Sequence, residues 1–100
     1  MLLQNCDILF ILKSLEEDGV KAEIKKIENM ISDRGRILKV DLWGKKKLAF
    51  ENEDNLKYGF YGCINIELDV TMIDELNKKL ISEENILRRL MIKKGNVFSR

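Results

Sequence analysis

Three consecutive lysines, Lys45, Lys46 and Lys47, follow the chain's single tryptophan, Trp43, and form its densest stretch of positive charge. Ammonium groups bind phosphates, and an aromatic ring beside them can pack against RNA, so this combination is typical of an RNA contact. Lysines on an outer strand also deter edge-to-edge pairing between sheets, and a solvated edge strand would explain the same residues. The stretch by itself leaves both interpretations open.

The rest of the composition offers little material for catalysis or metal binding. The chain contains no histidine, which removes the commonest general base and a common zinc ligand. Cys6 and Cys63 lack metal-ligand spacing, and we expect two buried or half-buried thiols instead of a disulfide. The composition therefore disfavours catalysis and metal binding.

Length and charge predict one globular domain. The chain has 100 residues, of which 45% are hydrophobic and 35% charged. We assign residues 1–94 to the domain and 95–100 to a short C-terminal tail. The formal net charge is only +1, so any RNA affinity must come from local clusters of cations. The longest apolar run, residues 8–12, is too short to span a bilayer, and we expect a cytoplasmic protein without a membrane contact.

The apolar periodicity predicts a strand, a helix, two strands, a helix and a last strand. We expect strands over residues 6–12, 35–50, 58–68 and 86–93, and helices over 15–34 and 71–81. Right-handed crossovers then give an α+β, ferredoxin-like βαββαβ fold, a four-stranded antiparallel sheet with both helices on one face. The first and third strands should be central and the long second strand an edge.

Local signals refine this prediction. Gly44 follows Trp43 inside the second strand and indicates a bulge. Gly35 suits the left-handed position after the first helix. Ser14 and Glu17 could form a capping box at the start of that helix. Thr71 or Asp69 should cap the second helix. The stripe of the first helix consists of Val20, Ile24, Ile27 and Ile31.

The face of the sheet without helices is predicted to be partly apolar. In the first strand Leu9 and Ile11 alternate with Ile8, Phe10 and Leu12, so both faces receive apolar side chains. Tyr61 and Cys63 in the third strand add to the side without helices. A partner protein or RNA bases could cover this face, or it could carry scattered exposed residues as small domains do.

The segment from Asp41-Leu42-Trp43-Gly44 through Phe50 resembles the bacterial small-subunit ribosomal protein six family, whose second strand carries an acidic residue, Trp-Gly, basic residues and Leu-Ala-Tyr. Similar segments follow the same order elsewhere in the chain: Phe10-Ile11-Leu12-Lys13, Gly59-Phe60-Tyr61, Ile73-Asp74-Glu75-Leu76 and Ile86-Leu87-Arg88. The chain departs from the family pattern at Cys6, which replaces an aromatic residue, and at Gly62, which interrupts the third strand.

The resemblance implies a structural role in the small ribosomal subunit of a bacterium, with no enzymatic activity, no catalytic residue, no metal site, no cofactor and no small-molecule substrate. Such proteins bind the central, platform domain of the small-subunit rRNA cooperatively, as a heterodimer with ribosomal protein eighteen. On this basis we nominate the following RNA-binding residues: Trp43, Lys45, Lys46, Lys47, Arg88, Arg89, Lys93 and Lys94. Alternation sends Arg88 and Arg89 to opposite faces, and Trp43 suits a packing or partner contact better than a base stack.

Other functions are compatible with the same topology. An RNA-recognition motif stacks bases on aromatic residues of its central strands, but residues 58–62 match its signature only in part. An acylphosphatase-like hydrolase needs a glycine-rich anion loop after the first strand, where this chain is acidic over residues 16–18. A regulatory module that dimerises through its open sheet face is a third possibility.

Overall fold

The computed structural model of the chain describes residues 2–13, 16–50 and 55–98. Six main elements follow one another: β1 (Leu2–Leu12), α1 (Glu17–Ile31), β2 (Gly35–Lys47), β3 (Tyr58–Asp69), α2 (Ile73–Ile81) and β4 (Ile86–Phe98). The strands form one sheet in the order β2-β3-β1-β4, and all neighbouring strands are antiparallel. The predicted ferredoxin-like architecture is confirmed, with β1 and β3 central and β2 at an edge.

The core lies between the sheet and the two helices. Alternate residues of β1, including Ile8, Phe10 and Leu12, are buried there, whereas Leu9 and Ile11 lie on the other face. The helices bury the following side chains against the strands: Val20, Ile27 and Ile31 from α1, and Ile73, Leu76 and Leu80 from α2. The alternate apolar residues of β1 and the apolar stripes of the two helices thus pack together in one layer.

The ends of the elements differ from the predicted ones. β1 begins at Leu2 and pairs it with Phe98, so β4 continues through residues 95–98, which we assigned to the tail. β2 ends at Lys47, three residues before the predicted end. Ser14 and Leu15 lie outside the described residues, as does most of the polar connection between β2 and β3. A 3-10 turn, Val70–Met72, precedes α2, and Asp69 caps it by accepting a hydrogen bond from the Thr71 amide at 3.0 Å.

The left-handed conformation predicted for Gly35 is wrong. A 3-10 turn, Ser32–Arg34, follows α1, and Gly35 is extended, with φ −179°, as the first residue of β2. A side chain at this position would collide with the carbonyl oxygen of Glu67. The glycine is therefore required by the close approach of β2 to β3, not by a helix cap.

The bulge predicted at Trp43 is confirmed. The register of β2 against β3 shifts between Leu42 and Gly44, and Gly44 has a φ of +92°. A second shift, which the sequence did not indicate, lies between Ile37 and Lys39. Because a bulge turns the side chains of its strand, the first shift determines where Trp43 and the lysines after it point.

A buried carboxylate connects α1 to the turn before β4. Glu23 is buried within the helix stripe, and its Oε1 accepts hydrogen bonds from Asn85 Nδ2 at 2.9 Å and Lys26 Nζ at 3.2 Å. Lys26 also lies 3.6 Å from a carboxylate oxygen of Glu83. The predicted stripe did not include Glu23, because Asn85, which bonds it from outside the helix, is 62 residues away in the sequence.

We expect Gly62→Ala to lower the free energy of unfolding by about 1–3 kcal/mol, because the new Cβ would overpack the core. It would lie 2.7 Å from Cζ and 2.9 Å from Cε1 of the Phe10 ring. Urea denaturation of Gly62→Ala and of the wild type measures this cost. In a Phe10→Leu background the cost of Gly62→Ala should fall, and an equal cost in both backgrounds would contradict the steric explanation.

Candidate macromolecule-binding surface

The sheet face opposite the helices, here called the open face, has an apolar half built by three strands and the β2 bulge. The antiparallel register places Leu9 opposite Leu90, and Ile11 opposite both Tyr61 and Arg88. Trp43 completes this half and is 49% exposed. Together with backbone neighbours these residues surround a shallow cavity of about 410 Å³. Such a contiguous apolar patch, rimmed by a cation, is typical of a contact with another macromolecule.

The other half of the open face is polar and internally paired. Asn65 Nδ2 donates a hydrogen bond to Asp7 Oδ1 at 2.7 Å, and Lys94 Nζ lies 3.2 Å from Asp7 Oδ2. Lys39 Nζ lies 3.5 Å from Asp41 Oδ2 in the same region. The charge of Lys94, one of the nominated RNA-binding residues, is therefore largely neutralised within the protein.

The hydrogen bond from Asn65, together with Lys94, holds the pKa of Asp7 below its ordinary value of 3.8. The half-buried Cys63 thiol beside this carboxylate has a raised pKa, because burial and the nearby charge of Asp7 disfavour the thiolate. Neither cysteine is in a disulfide, as predicted, and Cys6 is fully buried. The polar half thus contains an ionised carboxylate and a neutral thiol at neutral pH.

Arg88 is fixed at the apolar end of the open face by an aromatic ring. Its guanidinium carbon lies 3.9 Å from the centroid of the Phe50 ring, a cation–π contact. Phe50 follows β2, in a segment held by a hydrogen bond from the Leu48 amide to the Lys57 carbonyl at 2.8 Å. Sequence reasoning noted Phe50 only as part of a motif and missed its contact with Arg88, since the two residues lie far apart in the chain.

The three lysines after the bulge divide between the two sides of β2. Lys46 pairs with Gly59 and lies over the Trp43 ring, with its Nζ 5.9 Å from the centroid, on the open-face side. Lys45 pairs with Phe60 on the helix side, where its Nζ lies 4.7 Å from the centroid of the Tyr58 ring. Lys47 pairs with Tyr58, also on the helix side. The three lysines therefore lie on both sides of the sheet at its β2 edge.

The nominated residues of β4 divide in the same way. Arg88 lies opposite Ile11 on the open face, whereas Arg89 lies opposite Phe10 and Lys93 opposite Cys6 on the helix side. The predicted separation of Arg88 from Arg89 is confirmed. Among the described residues, six nominated cations have no carboxylate within 4 Å: Lys45, Lys46, Lys47, Arg88, Arg89 and Lys93.

The described part of the chain offers no cluster of three or more cysteine, aspartate or glutamate side chains arranged to hold a metal ion. Its helices are also too short or too polar to cross a membrane. Fold and surface together define a small ferredoxin-like α+β protein whose sheet has an exposed apolar face and, within the described residues, edge cations without a carboxylate within 4 Å. The model of the family described as Ribosomal protein S6 matches residues 6–93, and the chain belongs to this family.

Curated relatives and a solved structure agree with this assignment. The small ribosomal subunit protein bS6 of Clostridium acetobutylicum is 36% identical over 88 residues, which cover 86% of this chain and 92% of that protein. The bS6 protein of Shouchella clausii is 34% identical over 93 residues, which cover 91% of this chain and 97% of that protein. The crystal structure of 30S ribosomal protein S6 from Thermotoga maritima has the same fold, with a TM-score of 0.77 at 22% identity over 92% of this chain and 88% of that one.

The lowered pKa of Asp7 predicts that part of the free energy of unfolding is lost in acid. Because folding depresses this pKa, ionised Asp7 stabilises the native state above its ordinary value of 3.8, and this stabilisation is lost as pH falls from there through the folded value. Asn65→Ala removes the largest cause of the shift, so this variant should lose less stability than the wild type over that range. Urea unfolding at a series of pH values measures the difference.

Cys63→Ala is the matched control, since Cys63 also lies on the open face of β3 but donates no hydrogen bond to Asp7. Its acid dependence should follow that of the wild type. If Asn65→Ala kept the wild-type acid dependence as well, the hydrogen bond to Asp7 would not be the cause.

Proposed function

We propose that this protein is a structural constituent of the small ribosomal subunit in the bacterial cytoplasm and has no enzymatic activity. In this proposal it binds the central domain of the small-subunit rRNA cooperatively, as a heterodimer with ribosomal protein eighteen. The observation that carries the proposal is the combination of family membership with an apolar open face whose rim holds unpaired cations.

The apolar half of the open face supports a protein partner. Leu90 is 57% exposed and lies opposite Leu9, and the exposed Trp43 lines the same cavity, so these three side chains leave apolar area in contact with water. Covering such a patch with a complementary surface is favourable, and aromatic residues are enriched in the cores of protein interfaces. We assign this half to ribosomal protein eighteen, with Trp43 as an interface anchor.

The cations at the rim support an RNA contact next to that interface. Lys46 and Arg88 lie on the open-face side, while Lys45 and Lys47 lie on the other side of β2. A phosphate backbone that passes the β2 edge of the sheet could contact the three lysines, whereas Arg88 lies on β4, the opposite edge strand. We rank Lys94 below them, because Asp7 already neutralises its charge.

Cooperativity follows from the small charge of the chain. Its net charge is +1, and phosphate neutralisation supplies most of the sequence-independent affinity of a nucleic-acid binder. A few rim cations therefore give weak binding by themselves. A basic partner held on the open face would present its own cations to the same RNA and raise the effective concentration of both.

The structure disfavours the RNA-recognition-motif alternative. That mechanism requires exposed aromatic rings on the two central strands. Tyr61 of β3 lies on the open face, but the aromatic residue of β1, Phe10, is buried under the helices, and Leu9 and Ile11 occupy the open-face positions. A pair of stacking rings on the central strands is therefore missing from the described surface.

Binding titrations with a central-domain rRNA fragment, with and without ribosomal protein eighteen, test the proposal. Tight binding is expected only when both proteins are present. Lys45→Ala and Lys46→Ala should each lower the magnitude of the slope of log K against log salt by about 0.7–0.9, which corresponds to the loss of one phosphate contact. Lys25→Ala, a charge removed from an exposed position on α1, is the control and should change neither slope nor affinity.

Two outcomes would contradict the assignment. If wild-type protein bound no RNA in either condition, the ribosomal function itself would be wrong, and a dimer formed through the open face would become the leading hypothesis. If the complex formed but Lys45→Ala and Lys46→Ala left both slope and affinity unchanged, the rim lysines would not contact the RNA.

A further inference from the structure

A groove lies along the outer edge of β4, on the helix side of the sheet. It consists of two cavities of about 420 and 320 Å³, and Arg89 lines both. The first cavity is bounded by the end of α2 and the start of β4, including Ile81 and Leu87. The second is bounded by Asp74 and Asn77 of α2 and by Lys93 of β4. Arg89 therefore stands at the centre of a continuous strip of surface.

Within the part of the chain that the structure describes, Arg89 has no hydrogen-bond or ion-pair partner in this groove. It is half-buried opposite Phe10, and its Nε is buried without a hydrogen-bond acceptor. A guanidinium carries five N–H donors, and burying donors without acceptors is unfavourable. Among the described residues, no carboxylate lies within 4 Å of Arg89. The position of the Arg89 side chain is therefore unfavourable in the isolated protein, and an anion that accepts its hydrogen bonds would stabilise it.

The charges along the groove fit a polyanion better than a single anion. Lys93 lies on the same side of β4, four residues after Arg89, which corresponds to about 13 Å along a strand. The Asn77 side chain, on the facing side of α2, adds a neutral amide donor. Arg88 also lines the first cavity, and among the described residues Asp74 is the only carboxylate that lines either one, so three cations oppose one anion.

We propose that this groove holds a segment of the ribose–phosphate backbone of the bound RNA, with Arg89 and Lys93 as separate phosphate contacts. The inference rests on the proposed function and extends it, since it places RNA on the side of β4 that faces away from the protein partner. It also gives the two neighbouring arginines different roles: Arg88 borders the partner interface, and Arg89 binds RNA.

Salt-dependent binding of the heterodimer to the central-domain rRNA fragment tests this inference. Arg89→Gln and Lys93→Gln keep a polar, hydrogen-bonding side chain, although a shorter one, and remove the charge. Each should lower the magnitude of the salt slope by about 0.7–0.9, and the double variant by about twice that. Arg89→Lys should retain the wild-type slope, because it keeps the charge. Lys25→Gln on α1 is the matched control and should behave as wild type.

The outcomes separate the groove from the wider function. Wild-type slopes in Arg89→Gln and Lys93→Gln, with the complex still forming, would overturn the groove assignment and leave the ribosomal role intact. If these variants instead weakened assembly of the heterodimer in the absence of RNA, the groove would hold a segment of the partner protein. That result would also overturn the assignment of the groove to RNA. Lys93 is exposed, so Lys93→Gln remains informative even if Arg89→Gln unfolds.

Discussion

The central position of β1 constrains the whole molecule. This strand pairs with β3 on one side and β4 on the other, and it carries apolar side chains on both faces. Two helices suffice to cover only one of these faces, where Ile8 and Phe10 are buried. Leu9 and Ile11 are therefore left on the open face. Since burial of apolar area is the main favourable term in association, we propose that assembly with a partner, not folding, covers this face.

Charge is arranged around this face in two ways. Several cations are used within the fold: Arg34 pairs with Asp69 at 3.1 Å, Arg36 with Glu67 at 3.6 Å and Lys94 with Asp7 at 3.2 Å. The six nominated cations that have no carboxylate within 4 Å among the described residues lie on β2 and β4, the edge strands of the sheet. A nearly neutral protein can thus present local positive charge where an RNA passes, provided that a partner holds it in place.

The sequence predicted what depends on local pattern and missed what depends on distant partners. Alternation and helical stripes are local, so the topology and the edge position of β2 followed from them, as did the bulge at Gly44. Strand lengths depend on pairing: β4 continues to Phe98 because β1 begins at Leu2. The burial of Glu23 requires Asn85, and the position of Arg88 requires Phe50; neither contact has a signal in the residues nearby.

The central claim, that the apolar half of the open face is the partner interface, is tested most directly by calorimetric titration of ribosomal protein eighteen into Trp43→Ala and Tyr58→Ala. Both aromatic residues are similarly exposed, at 49% and 42%, but Tyr58 lies on the helix side of the sheet. Truncation of an interface anchor costs about 2 kcal/mol or more, so Trp43→Ala should weaken the heterodimer at least tenfold and Tyr58→Ala should leave it unchanged. Equal affinities for both variants and the wild type would contradict the claim.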